Sequence, residues 1–438
     1  MQSMVASFRP VAARVILGFL LCCSSTFFSS RGWAEEKLIA LTPLIEEAKQ
    51  GNPEIKHAKS VMDAAEAIPR QVSTLPNPEL TFGLTNIGSR YSVGNDPMSM
   101  LEVGISQPLP YPKKLHLLGQ AAAEEAKAAA EAYRKTLFRV ISRLKLAYFD
   151  YWLEEETRGV LFEMLGLFRT LRGDALVRYE VGEAIQQDVL LVDIEIDKIK
   201  ERMELLKPEK DRLQAEINAL LNRSPSEPLG RPESFEKAEL DFSLNDLFQK
   251  AKENSPAVLE MQRLTYRDRT RLSLARKAYI PDFRLSAGYG DREGLSPQWS
   301  VGLGIELPLY FWRKEAYGVK EASANFVASK QAQQDALQTT LSQIRAAYTK
   351  AHAAQHLATL YSEHILPKVR AALESSLASY SVGRIDFLGV MTNATSLLEY
   401  EIARASKLAE CNKAVAEIEE LTGVYLEADE HPLTKKEP

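Results

Sequence analysis

Two histidines, His352 and His356, stand four residues apart in a stretch whose apolar spacing predicts helix. That spacing puts both imidazoles on one face, close enough to share a transition-metal ion, and His364 follows two turns beyond His356. No cysteine accompanies them and no His-Glu-x-x-His motif occurs, so the pair reads as an ordinary helix face, and no metal or other cofactor is expected. The sequence also lacks a phosphate-cradling glycine loop, a Ser or Cys nucleophile with a matched base, and paired carboxylates at catalytic spacing. Catalysis has no support; the protein is not expected to be an enzyme.

The chain has 438 residues, 45% hydrophobic and 26% charged, which is ample for a folded core. A mean hydropathy of -0.22, with no apolar run of about 20 residues beyond the N-terminus, argues against a bundle of membrane-spanning helices. Residues 1–34 read as a secretory signal: Arg9 and Arg14 form a basic start, Val15 to Cys23 an apolar stretch, and Gly32-Trp33-Ala34 a cleavage site. Lipidation at Cys22 or Cys23 is the alternative to cleavage after Ala34. Cleavage leaves Cys411 as the one cysteine, so no internal disulfide is expected. It also removes three of the 54 basic residues (Arg9, Arg14 and Arg31), leaving 51 against 59 acidic ones and a formal charge of -8, a poor match for nucleic acid.

The chain is duplicated. Leu44, Ala48, Lys49 and Pro53 recur 203 positions later as Leu247, Ala251, Lys252 and Pro256, and Pro78 as Pro281. The offset falls to 200 for Gly104, Ile105, Pro108 and Leu109 against Gly304, Ile305, Pro308 and Leu309, and for Ala147 and Tyr148 against Ala347 and Tyr348. It becomes 201 for Tyr179, Val181 and Gly182 against Tyr380, Val382 and Gly383. An insertion inside a helix rotates every later side chain by about 100°, so the changes of offset should fall in loops, such as 88–98 and 291–297. The division is a signal at 1–34, a first repeat at 35–222, a linker at 223–240, a second repeat at 241–424 and a tail at 425–438.

Each repeat must position its residues on long helices and one pair of strands. From about 113 to 180 there is no proline, and Leu137, Val140, Ile141, Leu144, Tyr148 and Tyr151 recur at spacings of three and four. Shorter helices are expected at about 42–67, 184–222, 243–278 and 386–422, with Pro208 disturbing one and Pro367 kinking the helix that follows Ala316. Period two replaces this pattern at about 78–87 and 99–108, and again at 281–290 and 298–308, where apolar residues alternate with Gly, Ser and Thr. Each strand is about ten residues long, enough to cross a bilayer at a tilt. Tyr91, Tyr289 and Trp299 suit one membrane interface and Tyr310, Phe311 and Trp312 the other. A small soluble sheet with one wet face fits the same alternation. If the strands enter lipid their edges must be closed, and four strands cannot close a barrel, so several copies would have to combine: two give eight strands, three give twelve.

The duplicated halves, the strand opening Leu-Pro-Asn-Pro-Glu-Leu at 75–80, and Tyr179-x-Val181-Gly182 with Tyr380-x-Val382-Gly383 resemble TolC-family outer-membrane efflux proteins, most nearly the CzcC/CusC-like heavy-metal branch. The resemblance implies a mainly α fold with a membrane β-barrel: a homotrimer whose twelve strands form one barrel in outer-membrane lipid and whose coiled-coil helices continue it as a tunnel through the periplasm. It implies a passive exit duct of a tripartite system, with a periplasmic adaptor and an inner-membrane pump of the resistance-nodulation-division type as partners. Drug efflux or type I secretion is the alternative duct, and a soluble periplasmic coiled-coil scaffold the alternative of another class. By the same resemblance Tyr179, Val181, Gly182, Tyr380, Val382 and Gly383 lie at the adaptor-docking hairpin tips. Asp188, Asp193 and Asp386 become candidate pore charges, since rings of carboxylates favour cations. The second hairpin departs from a doubly acidic pattern, with Gly389 and Thr392 where aspartates would stand.

Overall fold

The structure, a computed structural model, describes residues 38–87, 93, 98–235, 240 and 242–426. The expected signal at 1–34 with Cys22 and Cys23, Tyr91, and the tail beyond 426 lie outside the described residues.

Helix starts follow the caps. Asn52 accepts from the backbone N–H groups of Glu54 and Ile55 at 2.8 and 3.2 Å, and Pro53 supplies a first helical residue that needs no N–H partner. One expected helix at 42–67 is therefore two, α1 (Leu41–Gly51) and α2 (Pro53–Ser73). The duplicate breaks at Ser255-Pro256, between α5 (Leu244–Asn254) and α6 (Pro256–Ala275).

The proline-free stretch is one helix, α3 (Pro112–Glu180), of 69 residues and so about 100 Å long. It returns as α4 (Gln186–Leu220), which continues unbroken through Pro208. The second repeat builds the same hairpin differently. Its outgoing arm is α7 (Glu315–Thr359), then a π-helical segment at Leu360–Ile365, then α8 (Leu366–Ser381), and it returns as α9 (Phe387–Thr422). Pro367 marks the break as expected, but the change of offset from 200 to 201 falls here, inside a helical arm and not in a loop. A π-turn is how a helix absorbs one extra residue without turning the remainder to the wrong face. The hydroxyls of Thr359 and Ser362 each donate to the carbonyl four residues back, of Gln355 and Ala358, both at 3.0 Å.

The strands β2 (Glu79–Thr85), β3 (Met100–Leu109), β5 (Asp282–Asp291) and β6 (Gln298–Glu306) form one antiparallel sheet in the order β2-β3-β5-β6. Within the stretch expected as a plain linker, β4 (Arg231–Pro232) pairs in parallel with β1 (Leu38–Ile39).

Of the four apolar clusters among the described residues, the two largest are in the hairpins. One, near the tips, gathers Phe168 and Leu171 of α3, Val192 and Ile196 of α4, Leu373 of α8 and Phe387 and Val390 of α9. The other packs Leu44 and Ile45 of α1 on Leu144 and Tyr148 of α3 and Leu213 and Ile217 of α4. Between the repeats, Lys145 of α3 donates to Glu419 of α9 at 2.7 Å, both side chains buried, and the same carboxylate accepts from the Leu426 N–H at 2.9 Å. Removing one member of such a pair would strand a charge, at about 3–5 kcal/mol.

Candidate functional site

Both hairpins turn by one device. At the first tip the Gly182 N–H donates to the Tyr179 carbonyl at 3.1 Å and the Glu183 N–H to that of Arg178 at 2.8 Å; at the second, Gly383 donates to Tyr380 at 3.0 Å and Arg384 to Ser379 at 2.9 Å. These are Schellman closures of α3 and α8, and they need a left-handed residue, which Gly182 (φ +77°) and Gly383 (φ +71°) supply. Val181 and Val382 are each 65% exposed, so the two copies present the same apolar residue to the surroundings.

The tyrosines do not share that equivalence. Tyr179 is exposed, whereas Tyr380 is buried beside the ring of Phe387, at 5.3 Å between centroids. The Arg178 guanidinium lies over the Tyr380 ring at 4.6 Å and donates to the Ser381 carbonyl at 2.7 Å, tying the first tip to the second. Burial pushes the Tyr380 hydroxyl above the usual tyrosine range; the charge of Arg178 opposes this, and those of Asp188 and Asp174 reinforce it. Arg178 was not singled out in the sequence, although the repeats differ there: its counterpart at the offset of 201 is Ser379.

The three candidate acids go to different places. Asp188 lies within reach of the charge of Asp386. Burial raises the Asp188 pKa, a backbone hydrogen bond at Ile185 opposes the rise, and the charge of Asp386 adds to it. Asp386 also caps α9, accepting from the Gly389 N–H at 3.0 Å. Asp193 accepts from Arg172 at 2.5 Å, which neutralises it within its own hairpin. His352 stacks edge-on against Tyr348 at 4.3 Å, while His356 and His364 are exposed. Among the described residues no three His, Cys, Asp or Glu side chains gather closely enough to hold a metal ion.

At the other end the sheet has two unlike faces. One carries cross-strand rows of apolar side chains, Phe82–Val103–Tyr289–Trp299 and Leu80–Ile105–Ala287–Val301. Much of it stands bare in the single chain: Phe82 is 70% exposed and Val301 82%. The other face is built of small and polar residues, in the rows Thr81–Gly104–Gly288–Ser300 and Glu79–Ser106–Ser286–Gly302. A Cβ at Gly104, Gly288 or Gly302 would lie 2.6–2.7 Å from a Thr or Ser hydroxyl across the strand, which would have to turn away. Beyond the sheet, Tyr310, Phe311 and Trp312 cluster and are exposed. Among the described residues no helix is long and apolar enough to cross a membrane.

Residues 247–424 match the family model described as outer membrane efflux protein. Over 388 residues the chain is 24% identical to the outer membrane protein TolC of Vibrio cholerae serotype O1, covering 83% of this chain and 85% of that one. Residues 247–424 thus belong to the outer membrane efflux protein family, and the likeness to TolC extends over most of the chain. The fold agrees: its likeness to CusC has a TM-score of 0.75 at 16% identity, covering 88% of this chain and 92% of that one. For the open state of the Neisseria gonorrhoeae MtrE outer membrane channel the TM-score is 0.74 at 16% identity, covering 89% and 90%. The outer-membrane channel OprN gives 0.74 at 18%, covering 87% and 89%. CusC is thus one of several neighbours of equal likeness.

Proposed function

We propose that this efflux channel is a passive exit duct, a homotrimer whose twelve strands close one outer-membrane barrel and whose helical hairpins carry the passage through the periplasm. The observation that carries this reading is the sheet: one bare apolar face, one face of Gly, Ser and Thr, and two open edges, β2 and β6. In lipid each unpaired backbone group at an edge costs several kcal/mol, which supports closure by further copies. The domain division given above goes with it, each repeat supplying one hairpin and two strands.

A periplasmic adaptor would dock at the tips, where Val181 and Val382 are equally bare, and a resistance-nodulation-division pump in the inner membrane would supply the energy. For cargo the reading is heavy-metal cations, supported by the acidic pair Asp188 and Asp386 at the start of the two returning helices. Drug-like or polypeptide cargo is the second reading, favoured by the equal likeness to channels other than CusC. The test is the mass of the detergent-extracted protein together with its conductance in planar bilayers. A trimer with cation-selective conductance, reduced in selectivity by Asp188→Asn with Asp386→Asn, is expected. A monomer that stays soluble without detergent would sink the duct.

A further inference from the structure

The duplication makes the junction between repeats inside one chain a template for the junction between chains. Within the chain α2 packs on α3, α3 on α6 and α6 on α7, in the same order as the sheet. The two pairs within repeats, α2 with α3 and α6 with α7, are equivalent. The middle contact, α3 with α6, has no second instance among the described residues, and the faces that would make it are those of α7 and α2. In α2 the one buried residue is Ile55, and in α7 none is buried before Thr340.

The register supports the equivalence. In β2 and β3 Glu79 lies opposite Ser106, and in β5 and β6 Asp282 lies opposite Glu306, as offsets of 203 and 200 require. Applying those offsets to the β3–β5 ladder, where Ser106 faces Ser286, Ile105 faces Ala287 and Leu109 faces Phe283, gives a ladder between β6 and a second copy's β2. In it Glu306 faces Gly83, Ile305 faces Leu84, Leu307 faces Phe82 and Leu309 faces Leu80, so apolar side chains meet apolar ones.

Charge agrees at two independent places. Inside the chain Lys114 donates to Asp282 and to the Ile280 carbonyl, both at 2.8 Å, at the foot of the sheet. The equivalents are Lys314 and Glu79, both exposed; among the described residues Lys314 has no ion pair, and Glu79 has only Arg284 at 3.8 Å. Further along, Lys135 pairs with Glu260 at 3.0 Å. Its equivalents are Asp335 and His57, both exposed, with the acidic and basic members exchanged.

Resting on the duct reading above, we propose that the seam between copies repeats the internal one. The β6 edge of one copy pairs with the β2 edge of the next in the register Glu306–Gly83, and Lys314 meets Glu79 across it. Gly83 has open space where a Cβ would stand, and Cys411 is buried, so a cysteine pair reports the register directly. In the full chain extracted from membranes, Glu306→Cys with Gly83→Cys should oxidise to covalently linked copies, at least ten-fold more than the pair shifted by two residues, Glu306→Cys with Thr81→Cys. Preferential linking of the shifted pair, or none in a protein that remains oligomeric, would overturn the seam and leave the duct intact. A monomer before oxidation would overturn the duct reading itself. A second measurement guards against misfolded cysteine variants: Lys314→Glu should lower the temperature at which the oligomer dissociates, and adding Glu79→Lys should restore it. Absence of that rescue would remove the Lys314–Glu79 contact.

Discussion

The two hairpins are copies that end alike and are built differently. In the first, α3 runs 69 residues without interruption; in the second, the arm of equal role is broken by the π-helical segment at Leu360–Ile365. Both reach the same Schellman turn at the same Tyr-x-Val-Gly, because the π-turn takes up the one residue by which the second arm is longer. The difference teaches that a long helix tolerates a change of length only where the extra residue can be wound in place. The segment that does so here has no buried residue, so it winds without disturbing a core.

That contrast is open to a direct attack. Deleting Val160 from α3 should rotate everything beyond it by about 100° and pull Phe168 and Leu171 out of the core near the tips. Several kcal/mol should be lost, since displacing one large core side chain alone costs about 3–5 kcal/mol. Deleting Ser362 from the π-helical segment should instead restore an unbroken helix and leave the second tip in register. Thermal unfolding of the extracted protein separates the two, and equal damage from both deletions would defeat the explanation.

A smaller effect tests the sameness of the tips. Gly182→Val and Gly383→Val each force a branched side chain into the left-handed region, at about 1–2 kcal/mol apiece. Neither position has a neighbour within reach of a Cβ, so the two costs should match. Amide exchange at 180–186 and 381–387 reads them, and a clear inequality would mean that the closures are not equivalent.

The smallest effect concerns pH. Because burial and Asp386 hold the Asp188 pKa above its unfolded value, the folded tip binds a proton more readily than the unfolded chain. Tip stability should therefore rise as pH falls through the Asp188 titration, and fall again as pH climbs past it. Asp188→Asn should flatten amide exchange at the tip across that window; an unchanged slope would show that another group is responsible.

Much of this was readable beforehand, for identifiable reasons. The strands announced themselves because period two was marked by Gly, Ser and Thr on one face against Leu, Phe, Val and Trp on the other. The length of α3 followed from the absence of proline between Pro112 and Glu180. The division of α1 from α2 was missed because apolar periodicity carries across Asn52-Pro53, and only the cap geometry breaks it. The β1–β4 ladder is two residues long and has no period to detect. At the tips the sequence placed Asp188 and Asp193 in one class, yet Arg172, 21 residues before Asp193, claims the latter across the hairpin, a pairing that no local spacing encodes. The step from 200 to 201 was legible as arithmetic, but it was expected in a loop, and only the backbone shows it wound into a helical arm.

The buried pair of Lys145 and Glu419 also sets a clock. Its members are 274 residues apart, so the lysine leaves the ribosome long before its carboxylate exists. At synthesis rates of about 5–20 residues per second the gap lasts roughly 14–55 seconds. Throughout it, the α3 surface meant for α9 has no mate, and contacts of such separation form slowly even once both ends are present. Until α9 exists, the α3 face that it covers stays open.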